Sequence, residues 1–278
     1  MGKHHRPGRC VVSGKWHSVS SVTTMEMCPQ KYWYQYVDHT DVGERLVPVH
    51  WRFGSVLHQG LEWAYKAMLE LGLTGPMTQV REQGRAGIHD AWVEYQMPTT
   101  GGELDRAIAM LDATLESLTV DRADEILGVE MRLKAPMDDG NNFIGFGDVF
   151  LRIGEEDLLI RDWKITSRAH SADAIESDFQ LLMYAWACAE LYPWARNVWV
   201  EHFYPPKVIR QETPNVRALM DPERVKDALA RFEADVREIE ATTDFAPRVS
   251  SECDGCVYSH LCPAMCDSST GVVVESSN

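Results

Sequence analysis

Asp162-Trp163-Lys164 puts a carboxylate and an ammonium two residues apart within Leu158 to Ile165, a short segment of β-rich composition. Alternate residues of a strand face the same side, so Ile160, Asp162 and Lys164 share one face. In the preceding β-rich segment, Phe143 to Ile153, the same rule aligns Ile144, Phe146, Asp148, Phe150 and Arg152. If the two strands pair, Asp148 and Asp162 converge. They then offer two hard oxygen ligands for magnesium or manganese, beside a lysine able to act on a water or a leaving phosphate oxygen. Phosphodiester hydrolysis needs those parts. An isolated Asp-x-Lys reads better as a partly exposed ion pair on an edge strand. Asp148 gives the metal reading its weight: it ends Gly145-Phe146-Gly147-Asp148, and an acid in an apolar, glycine-relieved strand is costly to bury without a partner or a metal.

The cysteines form a second constellation. Cys253-x2-Cys256-x5-Cys262 follows the last helical stretch, Cys266 comes four residues later, and Cys28-Pro29 lies more than two hundred positions upstream. A disulfide framework belongs to short secreted domains and does not suit a chain of this size. Four thiolates suit either an iron–sulfur cluster or a tetrahedral zinc, and ligand softness does not separate the two. In the zinc reading Cys266 replaces Cys28 and the site is purely local. Cys188, in an apolar helical stretch, reads as a small core residue, and Cys10 as incidental.

The elements that must position these groups change character along the chain. A polar leader runs to about His17, and Ser20-Ser21 then offers an N-cap for a short helix through Met27. Pro29 can restart a helix, and Lys31-Tyr32-Trp33-Tyr34-Gln35-Tyr36 is dense in aromatics that suit burial or base stacking. Helical periodicity holds over 51–71, 78–97 and 103–118, with glycine- and proline-rich breaks between. From Glu125 the spacing predicts antiparallel strands at 126–133, 143–153 and 158–165, the first two joined by Asp138-Asp139-Gly140-Asn141. A helix at 173–191, strands at 197–204 and near 207–213, and a charged helix at 221–241 complete an α/β sandwich. The tail after Cys266 has little to bury. The expected organisation is a flexible leader (1–17), an N-terminal helical region (18–120), a core (121–245), a cysteine region packed with Cys28 (246–266) and a flexible tail (267–278).

Four segments in this order resemble the RecB-like branch of the PD-(D/E)xK nucleases, which includes CRISPR-associated RecB-like exonucleases and helicase-linked nuclease domains. They are Gly54-Ser55-Val56-Leu57-His58, Gly145-Phe146-Gly147-Asp148, Asp162-Trp163-Lys164 and Gln180-Leu181-Leu182-Met183-Tyr184. The resemblance spans roughly residues 18 to 266. It implies a restriction-endonuclease-like core, a central mixed sheet flanked by helices, with a helical N-terminal insertion and a C-terminal cysteine cluster region. It also implies His58, Asp148, Asp162 and the backbone carbonyl of Trp163 as ligands of Mn2+ or Mg2+, with Lys164 assisting the attacking water. Gln180 and Tyr184 would face the scissile region, and their i, i+4 spacing puts them on one side of a helix. Glu130 resembles a glutamate often found on the preceding strand. Asp162 stands where Glu is commoner, which shortens the reach but keeps the ligand chemistry. The same resemblance decides the cysteines in favour of a 4Fe-4S cluster on Cys28, Cys253, Cys256 and Cys262, a staple between the two ends of the chain.

Composition sets the outer bounds. The 278 residues carry 27 basic and 42 acidic side chains, a formal net charge of -15, which argues against a broad basic surface and makes any DNA contact local. No apolar run approaches the roughly 18 residues a membrane span needs, and the basic start lacks the apolar stretch of a secretory signal, so the cytoplasm is the expected compartment and the membrane no partner. There is no P-loop helicase signature. The expected function is a metal-dependent DNA exonuclease preferring single strands or ends, with 5′ to 3′ polarity implied by the CRISPR-associated relatives. Recombination, repair, phage or CRISPR processing would all use it, with a helicase or a recombination or CRISPR protein as possible partner. Two rivals are a non-catalytic DNA-end-binding or assembly subunit with the same fold, and a zinc-stabilised adaptor.

Overall fold

A computed structural model describes residues 14–42, 49–72, 76–98, 100–117, 125–138, 140–166, 169–207 and 215–266. Cys10, most of the leader, the tail after Cys266 and the strand expected near 207–213 fall outside the described residues or largely so. The chain forms two units. A sheet unit takes Met1–Ser18, Asp121–Tyr204 and Pro214–Leu229, and a helical unit takes Val19–Val120, Pro205–Thr213 and Ala230–Asn278.

The sheet unit is built on β1 (Trp16–His17), β2 (Glu125–Pro136), β3 (Asn142–Arg152), β4 (Asp157–Trp163), β5 (Asn197–Phe203) and β6 (Val216–Leu219). Strands β2, β3 and β4 are antiparallel neighbours, as their alternation predicts; β4 and β5 run parallel, and β6 returns antiparallel to β5. The sheet is therefore mixed. Gly140, with φ +86, closes the β2–β3 turn in a conformation that favours glycine. Trp16 and His17, expected in the leader, instead form a short strand parallel to the start of β3. The apolar stretch expected as one helix at 173–191 is two, α6 (Ala172–Glu176) and α7 (Phe179–Leu191). Ser171 and Asp178 cap their N-termini by accepting from the amides of Ala174 and Leu181, so capping chemistry overrides a continuous apolar pattern. Phe143, Phe150, Leu159, Ile160, Met183 and Val200 are fully buried.

The helical unit holds α1 (Val19–Met27), α2 (Pro29–Tyr32), α3 (Val49–Leu71), α4 (Met77–Glu94) and α5 (Glu103–Ser117). Leu57, Leu61, Ile88 and Leu111 fill the core between α3, α4 and α5. Arg52, 8% exposed, donates to the carbonyls of Tyr95 and Gln96 at 2.7 and 2.9 Å, satisfying acceptors left over where α4 ends. A π-helical turn, Trp33–Val37, carries the aromatic cluster. Tyr32 stacks on Phe245 at 6.0 Å and Tyr34 on Tyr258 at 5.2 Å, while the Tyr34 hydroxyl donates to the carbonyl of Leu261 at 2.7 Å. These rings are buried or half-buried, the packing alternative for that cluster. The long helix α8 (Pro222–Ala241) precedes a 3-10 turn, Ser251–Gly255, and α9 (Pro263–Cys266). Among the described residues no helix is long and apolar enough to cross a membrane.

Candidate active site

The site grows from an interruption in the sheet. Strands β3 and β4 pair from Arg152 opposite Leu158 to Val149 opposite Arg161, and the ladder stops there. One step further the register brings Asp148 opposite Asp162, where the strands part. The Trp163 amide donates to Asp148 Oδ2 at 2.6 Å in place of a ladder bond. On the same edge of β3, β1 takes up only Asn142 and Phe143. Among the described residues, 144–148 thus have a strand, β2, on one side only.

Tyr184 of α7 fills part of that gap. Its hydroxyl accepts from the Phe146 amide at 3.3 Å and donates to the Phe146 carbonyl at 2.6 Å, and Gln180, one turn earlier, donates its Nε2–H to the Tyr184 hydroxyl at 2.8 Å. Burial pushes the Tyr184 hydroxyl up to about 12, so it remains a neutral donor. Gly145 allows the approach, because a Cβ there would lie 2.6 Å from Tyr184 Cε1. Gln180 and Tyr184 are therefore brought together, against the strand segment that ends in Asp148.

Lys164 Nζ lies 2.7 Å from Asp162 Oδ2. Burial disfavours the Lys164 ammonium, but the carboxylates of Asp162, Asp178 and Asp148 outweigh it and raise its pKa. Asp162 Oδ2 is buried and has no aligned hydrogen-bond donor despite that ion pair. The parallel register sets His202 of β5 beside Asp162. His202 is 2% exposed, and its Nε2, 3.8 Å from Asp162 Oδ2, has no hydrogen-bond partner. Its Nδ1 is 3.1 Å from His170 Nδ1, which lies 3.1 Å from the Tyr204 hydroxyl. Burial lowers its pKa, which keeps His202 neutral at neutral pH.

On the other side of Asp148, Glu130 brings a carboxylate oxygen within 4.8 Å of an Asp148 oxygen. Its backbone is left-handed, φ 50, a strained conformation for a residue other than glycine and of the kind that collects at functional sites. Val129 opposite Val149 and Met131 opposite Gly147 bracket the pair. Glu130, Asp148, Asp162 and His202 thus follow one another across β2, β3, β4 and β5. Glu130 and Asp148 offer a pair of hard oxygens that could take part in holding a divalent cation, while among the described residues Asp162 does not come within 4.8 Å of both. His202 carried no signal in the sequence: a lone histidine in a strand has no spacing to mark it, and the parallel pairing that brings it to Asp162 is non-local. His58 lies midway along α3 in the helical unit, half-buried.

A second grouping lies within the helical unit. Cys28, Cys253, Cys256 and Cys262 line one recess together with Tyr34, Arg248 and Tyr258. The amides of Arg248 and Ser250 donate to the sulfurs of Cys28 and Cys253, each at 3.4 Å. None of the four is in a disulfide. Among the described residues no three of these sulfurs come within 4.8 Å of one another. Cys188 is fully buried, and burial alone pushes its thiol up, as befits a core residue. The side chain of Cys266 lies outside the described residues.

The family model described as the PD-(D/E)XK nuclease superfamily matches residues 17–263. The chain belongs to this superfamily. Its members are in the main metal-dependent nucleases that use Mg2+ or Mn2+, and the mixed sheet flanked by helices is the restriction-endonuclease-like fold that the sequence resemblance implied. A solved structure described as the crystal structure of SSO0001 is similar at 14% identity and a TM-score of 0.40, over 92% of this chain and 89% of that one. No curated protein matches the chain.

Proposed function

We propose that this PD-(D/E)XK protein is a DNA exonuclease of the RecB-like branch, acting on single strands or ends with 5′ to 3′ polarity. The observation that carries the reading is the parting of β3 and β4, which leaves Asp148 and Asp162 side by side with Lys164 2.7 Å from Asp162. Asp148, Asp162 and the Trp163 carbonyl would hold Mg2+ or Mn2+, with His58 assigned to the ligand set by the sequence pattern alone. Bound there, the ion supplies Lewis acidity toward the scissile phosphate. Lys164, held as a cation, donates to the attacking water or to a phosphate oxygen. Gln180 and Tyr184 fix the Phe146 backbone and so the position of Asp148.

The test is degradation of end-labelled single-stranded and duplex DNA by anaerobically purified protein in Mn2+ or Mg2+, beside Asp148→Ala and Lys164→Ala. Metal-dependent shortening from one end by the wild type alone supports the reading and gives the polarity. Inactivity of folded wild type on all substrates would replace it with the DNA-end-binding subunit.

A 4Fe-4S cluster on Cys28, Cys253, Cys256 and Cys262 is part of the same proposal. The shared recess supports it, as do the amide donors to sulfur, which stabilise thiolate ligands of such clusters. Iron and sulfide in a brown anaerobic preparation are the expected result, and colourless protein with one zinc would restore the adaptor reading. Work on DNA in recombination, repair, phage or CRISPR processing, in the cytoplasm and beside a helicase or a recombination or CRISPR protein, completes the proposal.

A further inference from the structure

Two large aromatic side chains stand out of the sheet unit, Phe146 at 50% exposure, two residues from Asp148, and Trp16 at 40%. Each has a cation over its ring: Lys134 Nζ lies 4.7 Å from the Trp16 centroid, and Arg132 Cζ 5.3 Å from that of Phe146. The cations alternate along β2 with Leu133 and Ala135, both buried, so Arg132 and Lys134 share the open face. The register sets Arg132 opposite Phe146 and Lys134 opposite Ile144, while Trp16 of β1 pairs with Asn142 at the far end of the ribbon. Phe146 is two residues from Asp148. Two aromatic–cation pairs thus step away from the carboxylates along β2 and β3.

Charge singles out the same face. In a chain of net charge -15, arginines such as Arg81, Arg85, Arg161 and Arg217 are paired with carboxylates. Among the described residues Arg132 and Lys134 meet rings instead, which leaves their charge for an outside anion. Two residues of strand advance about 7 Å. A ring can stack on a base only where the base face is free, and in a duplex both faces are covered.

The geometry points to this face as the track of a single-stranded nucleic acid, its bases stacking on Phe146 and Trp16 and its phosphates meeting Arg132 and Lys134 on the way to Asp148 and Asp162. The inference rests on the nuclease reading and adds the residues that would make it selective for single strands.

The test uses fluorescence anisotropy of a labelled single-stranded oligonucleotide and of a blunt duplex, with the full chain carrying Asp148→Asn to silence cleavage. Trp16→Ala and Phe146→Ala in that background should each weaken single-strand binding between about five- and a hundredfold, with duplex binding changed less than about twofold. Both positions are exposed, so the fold should survive; Arg132→Gln with Lys134→Gln probes the same track without removing a ring and should also weaken single-strand binding. Unchanged single-strand affinity in both sets, or equal losses for single strand and duplex, overturns the track and leaves the nuclease reading standing. Absence of any nucleic-acid binding, together with absence of cleavage by the wild type, overturns both.

Discussion

Lys164 is pulled two ways, and the outcome fixes what it can do. Burial works against the ammonium, the surrounding carboxylates work for it, and the carboxylates win. A lysine held as a cation can donate a hydrogen bond or a proton but cannot serve as a base. At the proposed site it would also compete with a divalent ion for Asp162. Lys164→Met should therefore tighten Mn2+ binding in a calorimetric titration while slowing cleavage by on the order of a hundredfold. Asp162→Asn should lose both metal affinity and activity. Weaker Mn2+ binding in Lys164→Met would make the lysine a counter-ion that shapes the site and nothing more. That Asp162 and Lys164 meet on one face was legible in the sequence, because strand alternation puts them there. Glu130 was visible only through resemblance, since its left-handed backbone has no sequence mark.

Elements decide whether the acids meet, and two side-chain choices show how. Tyr184 stands in for strand pairing that β3 lacks at Phe146. Tyr184→Phe leaves a half-buried amide and carbonyl without their partner, so it should cost about 1–3 kcal/mol in chemical denaturation and lower kcat through Asp148. In the helical unit, Gly84 on α4 has room for no methyl: a Cβ would lie 2.8 Å from Leu111 Cδ2 and 3.0 Å from both the Ala64 Cβ and the Gly60 carbonyl. Alanine gains about 1 kcal/mol in helix propensity over glycine. Overpacking costs about 1–3 kcal/mol, so Gly84→Ala should lower the melting temperature. The long helices and β2 to β4 were readable because their apolar periods are sustained. β6 was not, for it is four residues long and its pairing with β5 is decided by the sheet. The split between α6 and α7 was hidden because the apolar stretch runs on through a break that Asp178 sets by capping.

Over the whole molecule, a net charge of -15 confines any attraction for DNA to a few side chains. Each phosphate contact with a single strand contributes about 0.7 to the slope of log affinity against log salt. Loss of Arg132 and Lys134 together should flatten that slope by about 1.4, read from binding at several salt concentrations. On the proposed 4Fe-4S reading, Cys28→Ser should release the cluster and lower the melting temperature while leaving the carboxylates untouched; iron analysis beside thermal denaturation checks it. Tyr32 and Tyr34 pack against Phe245 and Tyr258, partners more than two hundred residues later. At a synthesis rate of about 5–20 residues per second, Tyr32 waits about 10–40 s on the ribosome for its stacking partner. During that interval the first helices lack these stacking partners, while the sheet-unit segments Asp121–Tyr204 and Pro214–Leu229 are synthesised. Nascent chains stalled before Phe245 should therefore bind chaperones through their earliest segment, and release them only when the cysteine region has been made.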